Sequence, residues 1–525
     1  MKRLFIVVLI LALCVVTIIG CAKPAPAHVP ASTPKPAPAS TPTPQYGGVL
    51  KIMTTGSGLL GSPRDTTGRN WIINAPAVEF LLRYDVKGSP LPRLAESWDI
   101  SSDGKNITLN LHQGVKFHDG TDFNAEAVKY NMQDYLLSPF APSSLKQVSS
   151  IDIIDQYTVR LGLPKFNYDL MIALAHMSGE MCSPTAMKIP ATPETMAKVH
   201  NVFTGPFKLA NWQKDVSAVF TKFDSYWQKG KPYLDGIEII IMADPVTALL
   251  AFKQGATQIL YRIPMSDAFD LEKSGYNINR SDKLKILFLA PDGANADSPW
   301  ANKNVREALE YAIDRKAMAA GLGFGYVEPA YQFATPQDSP YSPDLKPRYY
   351  DPNKAKQLLT EAGYTNGFNT KIYAKTTDDK NIVTAIQTYL KAVNINAEMQ
   401  LFIPTAFASE IEAKGWKNGL KLMTPSVPSD ISNINSALAG RPPNPSVYTP
   451  PGWADKLSAA ISQPDEAKRL AQTKEINMVI YNEVMVIPIW EEPELSAIDK
   501  SVHDLGLGKG GIGWFCNPAD AWLSK

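Results

Sequence analysis

The chain is 525 residues long and nearly neutral, with 52 Lys and Arg against 51 Asp and Glu. That balance leaves no basic excess to track a phosphate backbone and excludes a nucleic-acid-binding role. At roughly 150 residues per domain the length implies about three folded units, and the 42 prolines and 10 tryptophans suit both large cores and aromatic-lined ligand clefts. In chain order, Lys2 and Arg3 precede an apolar run from Leu4 to Ile19. This run is short for a membrane span but right for the hydrophobic region of a secretory signal, so residues 1–20 are expected to direct export.

The run ends in "IIGC", which resembles the lipobox of bacterial lipoproteins and implies that Cys21 becomes a lipidated first residue. Each buried acyl methylene would add about 0.8 kcal/mol to the hold on the membrane. Residues 21–45 are almost wholly Ala, Pro, Ser and Thr. Such a segment has nothing to bury and favours extended polyproline at about 3.1 Å per residue, so it reads as a tether. Folded sequence is expected from Tyr46, with "YGGVLKI" as a first strand.

From Leu94 to Leu170 the pattern is one of strands and hairpins. "LAESWDI" leads through "SSDGK" to "NITLNL", in which Ile107, Leu109 and Leu111 alternate inward. "VKF" continues that meander, and "HDG" turns at Gly120. The cluster His118, Asp119, Asp122 and Glu126 has metal-ligand or acid–base side chains, but they straddle a turn and a helix start and lack HExxH-like spacing. A local reading accounts for all of them: Asn124 caps a helix, Glu126 favours its first turn, and Phe123 packs on Val128 as a hydrophobic staple. "SSLK" at 143–146 matches the SxxK of penicillin-interacting serine enzymes, yet lies in a Pro/Ser-rich loop with no KTG partner.

Further on, no GxSxG elbow, dinucleotide loop or phosphate loop appears. "DGANAD", from Asp292 to Asp297, lacks EF-hand spacing and reads as a polar turn. In "NVREALEYAIDR", Val305, Ala308, Leu309, Ala312 and Ile313 share one helical face. A second helix has Asp351 as N-cap, Pro352 at N1 and Gly363 at C′. "FNTKIYAK", "NIVTAIQTYLKAV" and "NAEMQLF" then read as a βαβ unit. Cys182 and Cys516 are the remaining mature thiols, equally readable as a disulfide or as two separate buried groups.

Three ordered segments carry a family resemblance. They are "LAESWDISSDGKNITLNLHQGVKFHDGTDFNAEAVKYN", then "TGPFKLANW", then "VREALEYAIDRKAM" followed by "YSPDLKPRYYDPNKAKQLLTEAGY". Together they resemble the family 5 extracellular solute-binding proteins, the dipeptide, oligopeptide and nickel receptors of ABC importers. The resemblance implies an α/β, two-lobed periplasmic-binding-protein fold of type II, cluster C, with a strand-rich domain inserted in the first lobe. Its implied layout is a discontinuous first lobe of about residues 46–75, 200–285 and 490–525, an insert at about 76–199 and a second lobe at about 286–489.

The implied function is capture of a small-molecule or peptide solute in the interlobe cleft, by hinge closure, for delivery to permease subunits in the membrane. The implied protein is a monomer, held on the outer face of the cytoplasmic membrane by its lipid, with no cofactor and no metal. Peptide-binding members carry Gly-Trp followed by Ala-Asp-Tyr. The corresponding stretch here is "GLKLMTPSVPSD", with Thr424 in place of the tryptophan, Val427 in place of the aspartate, and Asp430 three residues late. The expected cleft residues are Trp71, Tyr331, Trp416, Asp430 and Trp490. Each has a second reading: Trp71 as core, Trp490 as the end of a core strand, Asp430 as an N-cap, Tyr331 and Trp416 as surface aromatics. Two other functions stand beside the receptor, an exported serine acyl-enzyme using Ser143 and a surface sensor or adhesin on the same scaffold.

Overall fold

The computed structural model describes residues 43–56, 58–64, 71–192, 195–426, 430–509 and 518–525. Its compact unit runs from Pro44 to Lys525. The first strand, β1 (Val49–Thr54), buries Leu50, Ile52 and Met53. Buried on both sides, it lies parallel to β8 (Gly236–Ile241) and to β9 (Ile259–Tyr261). "GIEIII" and "ILY" are near-continuous apolar runs, as strands covered on both faces require. Antiparallel strands β6 (Phe207–Gln213) and β7 (Ser217–Lys222) close that edge.

At the other edge β11 (Phe368–Lys375) and β12 (Ile395–Phe402) pair in parallel. Helix α6 (Lys380–Ala392) joins them, so the expected βαβ unit forms. Between the edges run two long antiparallel strands, β10 (Asn277–Pro291) and β14 (Ile487–Ile498), in register from Asn277–Ile498 to Leu289–Ile487. The full order of this eleven-stranded sheet is β12-β11-β13-β10-β14-β9-β1-β8-β7-β6, where β13 is Gly419–Ser426 and a short pair, Glu328–Pro329, lies off the path on β14. One end of β14 pairs with β9, and the far end of β10 pairs with β13. The register of β10 against β14 shifts between Leu287 and Phe288 and, more widely, between Arg280 and Leu284. A bulge of this kind bends the strand and increases its twist. Ser281 holds it, its Oγ donating to the Lys283 carbonyl and accepting from the Glu494 amide, both at 2.8 Å. Separate cores flank the two halves of the sheet, one around Leu50, Ile52, Phe203 and Ile237, the other around Leu289, Val305, Leu309 and Ile386.

A second sheet, β2 (Ala95–Ile100), β3 (Asn106–Leu111), β4 (Ser150–Asp155) and β5 (Thr158–Gly162), has the order β2-β3-β5-β4. Ile107, Leu109 and Leu111 face its core against α1 (Ala125–Leu136). Asn124 caps α1 by accepting from the Ala127 amide at 3.0 Å, and Phe123 and Val128 are both fully buried. "VKF" is extended but forms only an isolated antiparallel bridge, Lys116 to Asp122, because its hydrogen bonds, Phe117 amide to Thr121 carbonyl and Phe123 amide to Val115 carbonyl, pair it across the glycine turn and not with the meander. His118 braces this turn to the 203–205 segment. Its backbone amide donates to the Phe203 carbonyl, Nε2 lies 2.9 Å from the Gly205 carbonyl, and burial pushes its pKa down to about 4. Asp119 accepts from Ser183 at 2.5 Å and from Thr121. Among the described residues, no group of three or more His, Cys, Asp or Glu is placed to hold a metal ion. Ser143–Lys146 also departs from the loop reading and forms a helical turn. Cys182 is buried, its Sγ 3.2 Å from the His200 carbonyl; Cys516 and Cys21 lie outside the described residues.

Candidate functional site

The bulge that bends β10 exposes no side chain to bulk water at Lys283; it buries it. The Lys283 ammonium lies 5.3 Å from the centre of the Tyr84 ring, a cation–π distance. Tyr84 Oη is 2.8 Å from His176 Nε2. From the opposite half of the molecule come two carboxylates. Asp430 caps helix α7 (Ile431–Leu438), accepting from the Asn433 amide at 2.9 Å, and is 6 % exposed. Asp338 accepts from the Thr335 amide at 2.8 Å, and Glu491 on β14 completes the group.

Desolvation sets the protonation of this patch. It holds the His176 ring neutral, with a pKa of about 4, and lowers Lys283 against the pull of Asp430, Asp338 and Asp85. It raises Asp430. Asp338 is pushed up to about 6, and Glu491 to about 7 by burial first and then by Asp338 and Glu328. Six segments distant in sequence, carrying Tyr84, His176, Lys283, Asp338, Asp430 and Glu491, thus meet around one bend, with mixed charge and shifted titration. Perturbed groups gathered at a hinge have the character of a binding site.

Side chains alternate along β14, so Trp490 and Glu492 face away from Glu491. There they floor a cavity of about 450 Å³ whose walls come from both halves of the sheet: Met265 and Ser266 at the start of helix α4 (Met265–Lys273), and Thr377, Asp378 and Met423 opposite. Trp490 Nε1 donates to Glu492 Oε2 at 2.6 Å. A second cavity, about 520 Å³, opens from His176 between α2 (Tyr168–Leu174) and α7, with Asp169, Asn435 and Arg441 in its walls. Asp169 accepts weakly from Asn435, at 3.4 Å, and burial raises it.

Of the five residues expected in the cleft, the structure brings Asp430 and Trp490 to these surfaces. Asp430 takes its second reading, the N-cap of α7. Trp416 is 1 % exposed and packs in a core with the Lys421 ammonium 5.3 Å from its ring, so its surface reading is corrected. Tyr331 stacks edge-on against Tyr349 at 5.3 Å, with the Arg315 guanidinium 5.4 Å from its ring, and lines neither cavity. Trp71 opens the short helix Trp71–Asn74, and its side chain lies outside the described residues. Sequence reasoning missed Tyr84, His176, Lys283, Asp338 and Glu491. The available signal was charge inside otherwise apolar strands: "SDKLKILF" and "IPIWEEP".

Two lobes sharing a bent pair of strands, with a mixed-charge site at the bend, describe a receptor that closes on a solute. The chain belongs to the bacterial extracellular solute-binding proteins, family 5, whose middle-region description matches residues 89–443. It is 32 % identical over 428 residues to the glutathione-binding protein GsiB of Shigella flexneri, covering 78 % of this chain and 82 % of that protein. Among solved structures it is similar to NikA from Brucella suis in complex with Fe(III)-EDTA, with a TM-score of 0.80, 22 % identity, and 90 % and 100 % of the two chains covered. It is also similar to DppA from Helicobacter pylori in complex with the peptide STSA, with a TM-score of 0.73, 23 % identity, and 92 % and 99 % covered. At such identities these two speak for the fold, the type II periplasmic-binding-protein architecture. The protein is a solute-binding receptor of an ABC importer, in a family of receptors rather than enzymes.

Proposed function

We propose that the solute is a short, peptide-like zwitterion held at the hinge, with Asp430 and Lys283 as its charged partners. The observation that carries this reading is the convergence of Lys283, Tyr84, His176, Asp338 and Asp430 from distant segments on the one bend in the sheet. The relationship to a glutathione-binding protein supports a peptide scale for the ligand. Closure commits the solute only if its contacts exist in the closed arrangement and not in the open one. The layout that fits is a first lobe of about residues 46–75, 200–285 and 490–525, an insert of about 76–199, and a second lobe of about 286–489. The complete inclusion of β2–β5 in the insert favours it.

A thermal-shift and calorimetric panel of di- and tripeptides, glutathione and metal chelates tests the ligand class. A ligand at about a hundred times its Kd adds about 2.7 kcal/mol of stability, so a peptide should raise the Tm clearly. A rise with chelates alone would sink the peptide reading. The anchor is a separate step: no described helix is long and apolar enough to cross a membrane, and Cys21 is proposed as the lipidated residue. Cys21→Ser should then shift the protein from the membrane to the soluble fraction; unchanged fractionation would refute it.

A further inference from the structure

We propose that the solute this receptor selects carries a net positive charge, its cationic centre compensating the carboxylates of Glu491, Asp338 and Asp430. The proposal rests on the receptor reading above and specifies its substrate class. Its basis is a charge imbalance at the bend. Asp338 and Asp430 are buried, Glu491 sits beside them, and Glu328 lies directly opposite Glu491 on the paired strand. Like charges directly opposite on paired strands destabilise a sheet. Lys283 is the single ammonium among these groups, and it is shared between Asp430, Asp338 and Asp85. Of the other basic side chains on this side, His176 is held neutral and Arg469 lies on the Tyr168 ring at 4.0 Å, donating to the Gln463 carbonyl, while Tyr84 adds no charge.

The Oε2 atom of Glu491 is buried with no hydrogen-bond partner. A carboxylate oxygen shut from water and left unpaired is costly, and a cation arriving with the solute removes that cost only in the bound state. The cavity on the other face repeats the imbalance. Asp378, Asp379 and Glu492 line it, with no Lys or Arg among the described residues of its walls. Three cations stand around that face and each is engaged by another carboxylate: Lys285 and Arg262 by Glu494, and Lys375, which also acts on Asp378, by Glu412. By sequence, residues 427–429 and 510–517 contribute no charged side chain. Glutathione, with two carboxylates and one ammonium, has the opposite sign to the one this site accommodates.

The test is calorimetry on the full folded chain at pH 7.5 with two probe series. One is the tripeptides Lys-Ala-Ala, Ala-Ala-Ala and Glu-Ala-Ala with glutathione; the other is spermidine and citrate. The expected result is that Lys-Ala-Ala binds at least tenfold tighter than Ala-Ala-Ala, and that Glu-Ala-Ala and glutathione bind more weakly still. In Glu491→Gln the ratio of Lys-Ala-Ala to Ala-Ala-Ala affinity should fall below about threefold, a change of ratio that a merely structural role for Glu491, weakening all peptides alike, would not produce. Equal or tighter binding of the anionic peptides, an unaltered preference in Glu491→Gln, or no binding in either series would overturn the proposal. Binding of spermidine but not citrate, with every peptide inert, would sink the peptide reading and leave the charge assignment standing.

Discussion

Asp430 does two jobs whose chemistry can be separated. As an N-cap it needs only an acceptor oxygen for the Asn433 amide, which asparagine supplies as well as aspartate. As a partner for a cationic solute and for Lys283 it needs its charge. Asp430→Asn should therefore keep the folded Tm within a degree or two and still weaken solute binding about tenfold or more, whereas Asp430→Ala should lose binding and also about 1 kcal/mol of stability. Equal affinity in wild type and Asp430→Asn would remove the residue from the site. Glu491 makes a pH prediction. Its carboxyl rises from 4.5 to about 7 on folding, and Asp338 rises from 3.8 to about 6. Through those windows the folded state holds protons that the unfolded state has lost, so stability falls as pH rises from about 4 to about 7. Glu491→Gln removes the larger of the two and should raise the Tm at pH 8 relative to wild type, with little difference at pH 5. A Tm difference that does not vary with pH would contradict this. The cap role of Asp430 was legible because it is encoded within four residues; Lys283, Tyr84 and His176 were not, because only the tertiary fold brings them together.

The segment "KFHDGTDFNAEAVKYN" shows how far local chemistry reaches at the level of elements. Its cap, its glycine turn at Gly120 and its buried Phe123–Val128 pair all follow from spacing and propensity. Asn124→Ala should cost about 1 kcal/mol and leave solute affinity unchanged, because α1 supports the smaller sheet and takes no part in the charged patch; a loss of affinity without loss of stability would place α1 in the site instead. The βαβ unit from Phe368 to Phe402 was legible for the same reason: its strand and helix periods differ, and each matches its burial. What failed was local in a different way. "VKF" has strand composition and is extended, but it pairs with residues 121–123 across the glycine turn and not with the meander, and composition cannot see which partner a strand takes.

At the scale of the whole molecule the deciding feature is the wider of two irregularities in a long strand pair, the other falling between Leu287 and Phe288. β10 has 15 residues and β14 has 12, and a regular ladder of that length would hold the two halves of the sheet rigidly aligned. The shift between Arg280 and Leu284 interrupts it, and the interruption is stabilised by two hydrogen bonds to a single hydroxyl, that of Ser281. Resemblance to a family could announce two lobes, but not which residue keeps their bend in place. Ser281→Ala removes both bonds, at a cost of about 1–2 kcal/mol, and alters no side chain argued to meet the solute, the carbonyl it frees being that of Lys283. If that loss falls on the closed arrangement, apparent affinity should drop about tenfold, since 1.4 kcal/mol is a factor of ten and the apparent Kd scales inversely with the competent fraction. Small-angle scattering supplies the independent readout. Saturating solute should contract the wild-type radius of gyration, and Ser281→Ala should need about ten times more solute to reach the same contraction. Identical titration curves for the two proteins would mean that the bulge is passive and that closure is governed elsewhere along the strand pair.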